Sequence, residues 1–119
     1  MAKVRTKPEE LRAPILGDPE YDARNPYLGR IISEFPEHFI IPEEAMKRKG
    51  HWAEHCGGLP LHLEIGCGKG RFISEYAASR HDAFIIGLEL KLKRLYKIAK
   101  KLSRLENPQA GLIQFDASY

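Results

Sequence analysis

The sequence predicts an α/β fold, a parallel sheet with helices packed on it, from three observations. Beyond residue 60, short apolar runs alternate with segments of helical periodicity in the order β-α-β-α-β. A glycine-rich turn joins the first predicted strand to the first predicted helix. The second predicted strand is continuously apolar, as expected of a parallel strand covered on both faces. Together these features describe the first half of a doubly wound, Rossmann-like sheet.

The chain before this pattern is less regular. We predict that residues 1–30 form an irregular arm, because four prolines recur within it too closely for a long helix. Pro42, followed by two glutamates, opens a predicted helix that runs through Lys49 towards Trp52. Residues 31–119 are then the α/β domain, with a partly helical segment at its start.

The elements beyond residue 60 follow from the periodicity. Apolar residues recur at helical spacing in two segments, and turn-forming residues separate these segments from the apolar runs. We predict a strand at 61–65, a glycine turn at 66–70, a helix at 71–80, a strand at 83–88, a helix at 91–105 and a strand at 111–115.

The composition is that of one globular domain. The chain has 119 residues, of which 43% are hydrophobic and 29% charged, which is enough for one core and too little for two domains. Two cysteines make no disulfide framework, and no apolar run resembles a signal sequence or a membrane span. We therefore expect a soluble protein of the cytoplasm. The short group His51, Glu54, His55 and Cys56 has no second ligand cluster, so no metal site is predicted.

The glycine turn carries the most specific motif. Glu64 stands two residues before the first of three alternating glycines. A dinucleotide-binding turn has the spacing G-x-G-x-x-G and would need glycine where this chain has Arg71. An acid at this place would repel a pyrophosphate, whereas S-adenosylmethionine (SAM) brings a cationic ammonium and a sulfonium. The motif therefore favours SAM as the cofactor, with these candidate contacts: Glu64, Gly66, Gly68 and Gly70.

Two further acids stand at the ends of the next predicted strands. Glu89 ends the second strand, the position at which a carboxylate accepts hydrogen bonds from two ribose hydroxyls. Asp116 ends the third strand, where its side chain can accept from an adenine amino group. Because the carboxyl ends of parallel strands meet at one edge, we expect Glu64, Glu89 and Asp116 at a single ligand site.

The helix predicted at 91–105 has an apolar face and a basic face. No acid interrupts residues 91–104, and residues 61–119 carry ten basic and six acidic side chains. One-sided cations without acidic partners are typical of a surface that contacts a phosphate backbone, although a merely solvated helix face gives the same pattern. The candidate RNA-binding residues are Lys93, Lys97, Lys100, Lys101 and Arg104.

The same motifs carry a resemblance to a known family. Residues 63–72 (Leu-Glu-Ile-Gly-Cys-Gly-Lys-Gly-Arg-Phe), 86–89 (Ile-Gly-Leu-Glu) and 115–117 (Phe-Asp-Ala) resemble the tRNA (guanine-N(7)-)-methyltransferases, a family of class I SAM-dependent methyltransferases. The likeness covers residues 61–117 and is weaker from Asn25 to that point. It implies a Rossmann-like methyltransferase fold, SAM as cofactor, tRNA as partner, and methyl transfer to N(7) of a guanine in the tRNA variable loop.

The resemblance also implies roles for single residues. Glu64, Glu89 and Asp116 would contact SAM, and Gly66 would line its pocket. The family's catalytic aspartate and its Asp-Pro-Trp-Pro-Lys-Lys-type substrate motif have no counterpart before Tyr119, so no catalytic residue is predicted in this chain. We expect an N-terminal portion of a longer enzyme, inactive alone, in which the strand at 61–65 has an open edge.

Three alternatives stay open on the residues alone. A SAM-dependent methyltransferase could act on a protein or a small molecule, which the basic helix disfavours. An NAD-dependent oxidoreductase is disfavoured by Glu64 and by Arg71. A non-enzymatic RNA-binding protein would bind tRNA and would not bind SAM.

Overall fold

A computed structural model describes residues 26–115, in which four strands and five α-helices alternate. Asp116 and residues 1–25 lie outside the described part. In chain order the elements are α1 (Tyr27–Glu34), a 3-10 turn (Pro36–His38), β1 (Phe39–Ile40), α2 (Pro42–Lys47), α3 (Trp52–His55), β2 (Leu61–Ile65), α4 (Arg71–Ser79), β3 (Phe84–Glu89), α5 (Leu92–Leu102) and β4 (Ala110–Gln114).

The four strands form one parallel sheet in the order β1-β4-β3-β2. Ile65 is opposite Leu88, and Leu88 is opposite Ile113, so these three side chains point to the same face of the sheet. The strands therefore all end at one edge, and the glycine turn after β2 lies beside the end of β3. The predicted α/β fold class is confirmed.

One face of the sheet carries the main core. Helices α4 and α5 pack against it, and α1 packs on α5. The apolar face of α5 is buried in this core, as its periodicity predicts. Each fully buried aliphatic side chain contributes about 1.5–3 kcal/mol through removal from water. The most deeply buried of these side chains are Ile31, Ile73, Ile85, Leu95, Ile98, Leu102 and Leu112.

Helix α1 is held on α5 by a polar cluster around Tyr96. The Tyr96 hydroxyl accepts a hydrogen bond from Arg30 Nη2 at 2.7 Å and donates one to Glu34 Oε1 at 2.9 Å. The Arg30 guanidinium also lies 4.5 Å from the centre of the Tyr96 ring. The hydrogen bond to Glu34 and burial together raise the pKa of the Tyr96 hydroxyl.

The prediction of an irregular arm at residues 1–30 is wrong for its last four residues, which are helical. Helix α1 begins at Tyr27, directly after Pro26, because Leu28 and Ile31 are buried in the core. Proline is compatible with the first turn of a helix, so the prolines before it do not prevent a helix from starting there.

The other face of the sheet is covered only in part. Helix α2 lies against β4, and Ile86 and Ile113 are buried. Leu63 and Ile65 on the same face are 58% and 66% exposed, because β2 is an edge strand of the described sheet. The predicted open edge of this strand is therefore present in residues 26–115.

The predicted boundaries hold for β2 and for the start of α4, and the other boundaries predicted beyond residue 60 shift by one to three residues. The helix predicted from Pro42 towards Trp52 is instead two helices, α2 and α3. Gly50 between them has φ +80°, a left-handed conformation that no α-helix contains. No helix within residues 26–115 has the length and apolar character needed to cross a membrane.

Gly70 sets the packing of the glycine turn on α5. Its φ is +77°, and a Cβ built on it would overlap the Ile98 side chain. Gly70→Ala should therefore lower the free energy of unfolding by about 2–4 kcal/mol, from backbone strain and overpacking together. Urea denaturation of the two proteins measures this loss.

Gly50→Ala is the matched control. Gly50 has a similar φ of +80°, and a Cβ there meets no atom within 4 Å. Gly50→Ala should lower the free energy of unfolding by only about 1–2 kcal/mol, from backbone strain alone. Equal losses in the two variants would show that contact with Ile98 does not constrain the turn.

Candidate cofactor site

The site begins where β2 ends and the chain turns sharply. Gly66, Gly68 and Gly70 have φ of +75°, +56° and +77°, values that L-residues rarely adopt. The Gly70 N–H donates to the Cys67 carbonyl oxygen at 2.9 Å and closes the turn. The alternating glycines thus let the chain leave the strand and enter α4 within five residues.

The three glycines do not have the same surroundings. A Cβ on Gly70 would overlap Ile98, so this glycine lies against α5. A Cβ on Gly66 or Gly68 would meet no atom of residues 26–115 within 4 Å. These two positions therefore border open space, where a ligand can approach the main chain, while Gly70 holds the turn in place.

Glu89 reaches this turn from the end of β3. Its side chain is only 7% exposed. Oε1 accepts a hydrogen bond from the Gly68 N–H at 3.0 Å, and Oε2 accepts one from the Lys91 N–H at 3.0 Å. Arg94 Nη1 lies 3.8 Å from Oε1. The carboxylate joins the glycine turn to the start of α5, and each oxygen keeps a lone pair for a further donor.

Glu64 and Cys67 flank the first glycine. Burial raises the pKa of the Glu64 carboxyl, so a cation beside it would favour the ionised form. Burial and then the charge of Glu64 raise the pKa of Cys67 to about 12. The Cys67 thiol is therefore protonated at neutral pH, and it lies 3.7 Å from the Glu64 and Leu88 carbonyl oxygens. Such a thiol is a poor nucleophile.

The third predicted acid, Asp116, lies outside the described residues. The strand that leads to it ends at the expected edge, because Gln114 of β4 is opposite Glu89 of β3. Gln114 is itself buried, and its Nε2 donates to the Leu90 carbonyl oxygen at 3.1 Å. Sequence reasoning missed this side chain, which holds the loop after β3, because a glutamine inside an apolar strand gives no positional signal.

The five candidate RNA-binding residues are all exposed, but they lie on different surfaces, and Arg104 lies in the turn after α5 because the helix ends at Leu102. Lys93, Lys97 and Lys101 line a groove of about 300 Å³ against the glycine turn. Lys100 and Arg104 lie outside this groove. Among residues 26–115, no carboxylate comes within 4.0 Å of any of the five.

A larger cavity, of about 410 Å³, lies elsewhere. Its walls include Phe84 and Ala110, the first residues of β3 and β4, so it lies towards the edge opposite the glycine turn. Its wall residues His38 and Arg48 have a buried Nδ1 and a buried Nε without a partner in the described part of the chain. Cavity volume alone would thus direct attention away from the glycine turn.

Comparisons with known proteins agree with the geometry of the turn. A family model described as "Putative methyltransferase" matches residues 59–119, about half of the chain. A tRNA (guanine-N(7)-)-methyltransferase of Geobacillus thermodenitrificans is 39% identical over 87 residues, which are 72% of this chain and 39% of that protein. One of Geobacillus sp. (strain WCH70) is 37% identical over 94 residues, 77% of this chain and 41% of that protein.

A third relative with the same name, from Brevibacillus brevis, is 39% identical over 71 residues, which are 59% of this chain and 33% of the relative. The chain thus spans between a third and about two fifths of the length of these relatives. The family model covers β2, the glycine turn and Glu89, the residues that build the site described above. The chain therefore belongs to the tRNA (guanine-N(7)-)-methyltransferase family.

Proposed function

We propose that the protein transfers a methyl group from SAM to N(7) of a guanine in the variable loop of tRNA, and that this chain supplies the cofactor side of the site. One observation carries the proposal. Open space over Gly66 and Gly68 adjoins a buried carboxylate, Glu89, at the carboxyl edge of a parallel sheet. The curated relatives bear the name of this activity.

The residues present suit SAM better than a dinucleotide. Glu89 can accept from two ribose hydroxyls, since each of its oxygens has a lone pair left. Glu64 can attract a cation, and the open space at Gly66 and Gly68 allows the ligand to lie against the main chain. Asp116 stays a predicted adenine contact. When bound, SAM supplies an activated methyl group.

The chain needs no proton acceptor for this reaction. N(7) of guanine has a lone pair and attacks without prior deprotonation, so catalysis is mainly positioning. The basic face, which comprises four lysines of α5 and the arginine in the turn after it, holds the tRNA backbone; its members are Lys93, Lys97, Lys100, Lys101 and Arg104. Lys93, Lys97 and Lys101 do so beside the glycine turn. We also propose that the protein works in the cytoplasm, where tRNA is modified.

Glu89→Ala should weaken SAM binding by roughly 10- to 100-fold, because hydrogen bonds to a charged group contribute about 1.5–3 kcal/mol. Its tRNA affinity, measured without SAM, should not fall. Titration calorimetry with SAM and filter binding with tRNA measure the two quantities.

Glu75→Ala is the control for this variant, because Glu75 is an exposed acid of α4 whose ion pair is with Arg71. It should leave both affinities as they are. Wild-type SAM affinity in the Glu89→Ala protein would contradict the ribose assignment.

Glu64 should give SAM binding a pH dependence. Its pKa is raised above 4.5 by burial, and a bound cation lowers it again, so binding releases a proton in this range. SAM affinity should therefore rise with pH from about 4.5 until Glu64 is ionised, and then level off. Calorimetry over a pH series measures the slope.

In the Glu64→Gln protein this slope should disappear, and affinity at neutral pH should fall about tenfold, the equivalent of about 1.4 kcal/mol. A slope that survives the substitution would assign the pH dependence to another group.

Charge reversal of Lys97, Lys100 and Lys101 to Glu in the intact protein should weaken tRNA binding. If each contacts a phosphate, the dependence of log K on log salt should lose about three units, one for each contact. Filter binding at several salt concentrations measures this slope. An unchanged slope would assign the basic face to solubility alone.

A matched triple reversal uses cations that the structure pairs within the chain: Lys47 with Glu44, Arg71 with Glu75 and Arg80 with Asp82. This control changes the net charge by the same amount. It should reduce the salt slope much less than the reversals on α5.

A further inference from the structure

The groove beside the glycine turn collects more positive charge than the sequence predicts. Three of its cations belong to the predicted basic face of α5, and two do not. Of these two, Lys69 comes from the turn itself, and Arg94 comes from the first turn of α5. The groove, with a volume of about 300 Å³, is lined by Gly68, Lys69, Lys93, Arg94, Lys97 and Lys101.

Two contacts connect the groove cations to the cofactor side. Lys101 Nζ donates a hydrogen bond to the Lys69 carbonyl oxygen at 2.8 Å, across the turn from α5. Arg94 Nη1 lies 3.8 Å from Oε1 of Glu89, the oxygen that also accepts from the Gly68 N–H. The groove and the candidate cofactor site therefore share the glycine turn and one carboxylate.

The charges in the groove are poorly balanced by the chain. Within residues 26–115, the Arg94–Glu89 contact is the one ion pair that any of the five cations makes. The side chain of Arg94 is 49% exposed and is free to contact a second anion. Five cations around one groove repel one another and also disfavour a cationic cofactor next to them.

We propose that a phosphate of the RNA substrate binds in this groove and thereby strengthens SAM binding, through Lys101 and Arg94. This rests on the proposed function, from which both ligands come. The phosphate accepts from the groove cations and lowers the positive potential beside the cationic cofactor. It also draws Arg94 away from Glu89, whose Oε1 then accepts from a ribose hydroxyl. By linkage, SAM strengthens RNA binding by the same factor.

Lys100 provides the comparison that isolates this effect. It directly precedes Lys101 in α5 but does not line the groove, because adjacent helical residues do not share a face. The hydrogen bond from Tyr96 is the main cause that lowers the pKa of Glu34 on α1, and the charge of Lys100 adds to it, so Lys100 lies within electrostatic reach of α1. Lys100→Met and Lys101→Met remove the same charge and differ in their relation to the groove.

The experiment titrates SAM calorimetrically into the intact protein, with and without saturating unmodified tRNA. Saturating tRNA should tighten SAM binding about fivefold or more in the wild type. Lys100→Met should lower the affinity for tRNA, because Lys100 is among the proposed RNA-binding residues, but at saturating tRNA it should show the same tightening, because Lys100 lies outside the groove. In Lys101→Met the tightening should be lost, although tRNA still saturates. Urea denaturation checks that both variants are folded.

Arg94→Met gives a second readout that a purely structural role would not produce. Without tRNA, this variant should bind SAM more tightly than the wild type, because Glu89 is released and one repulsive charge is gone. Saturating tRNA should then increase the SAM affinity of this variant less than it increases that of the wild type.

The outcomes separate the coupling from the proposed function. If SAM and tRNA both bind the wild type but neither changes the affinity of the other, the coupling is wrong and the proposed function stands. Full tightening in Lys101→Met also overturns the coupling. Failure of SAM or of tRNA to bind the wild type would overturn both.

Discussion

The cofactor edge of this molecule depends on one buried carboxylate. Glu89 accepts from the Gly68 N–H and the Lys91 N–H, so a single side chain joins the turn after β2 to the turn after β3. A buried charge is tolerated only where it is paired or hydrogen-bonded, and here two backbone amides stabilise it. The same hydrogen bonds that hold the turn in shape also fix the carboxylate beside Gly68.

Close packing of the glycine turn against α5 and β3 complements its hydrogen bond to Glu89. A Cβ on Gly70 would overlap Ile98 of α5, and a Cβ on Gly87 of β3 would collide with Cys67 Sγ. The turn therefore lies on the helix and the strand with no room for a side chain between them. Its shape is determined from the protein side, which leaves the ligand side of Gly66 and Gly68 open.

Much of the fold follows from local pattern. The strand at Leu61–Ile65 and the amphipathic α5 were predicted, since their periodicity is strong. Helix α1 was not, because its stability depends on Tyr96, which lies 62 residues beyond Glu34 in the sequence. The two-residue β1 is too short to give a pattern. Long-range contacts, and not propensity, decide these elements.

The candidate site likewise has residues that the sequence predicts and residues that it does not. The position of Glu64 and Glu89 at one edge of the sheet could be predicted from the sequence, because the ends of parallel strands must meet. The proposed roles of Lys69 and Arg94 could not be predicted, since in the sequence each is only one more cation in a basic chain. Only their positions relative to Lys101 and Glu89 give them a role, and those positions arise from the packing of the turn on α5.

The open side of the glycine turn has a practical consequence for genetics. Within residues 26–115, a methyl group added at Gly66 meets no atom within 4 Å, so Gly66→Ala would cost the fold only backbone strain, about 1–2 kcal/mol. Under the proposed function, the same methyl group would occupy the space in which SAM binds. A cell carrying this allele would then contain a folded protein that binds tRNA but not its methyl donor. Under that proposal, its phenotype would separate the consequences of binding tRNA from those of methylating it.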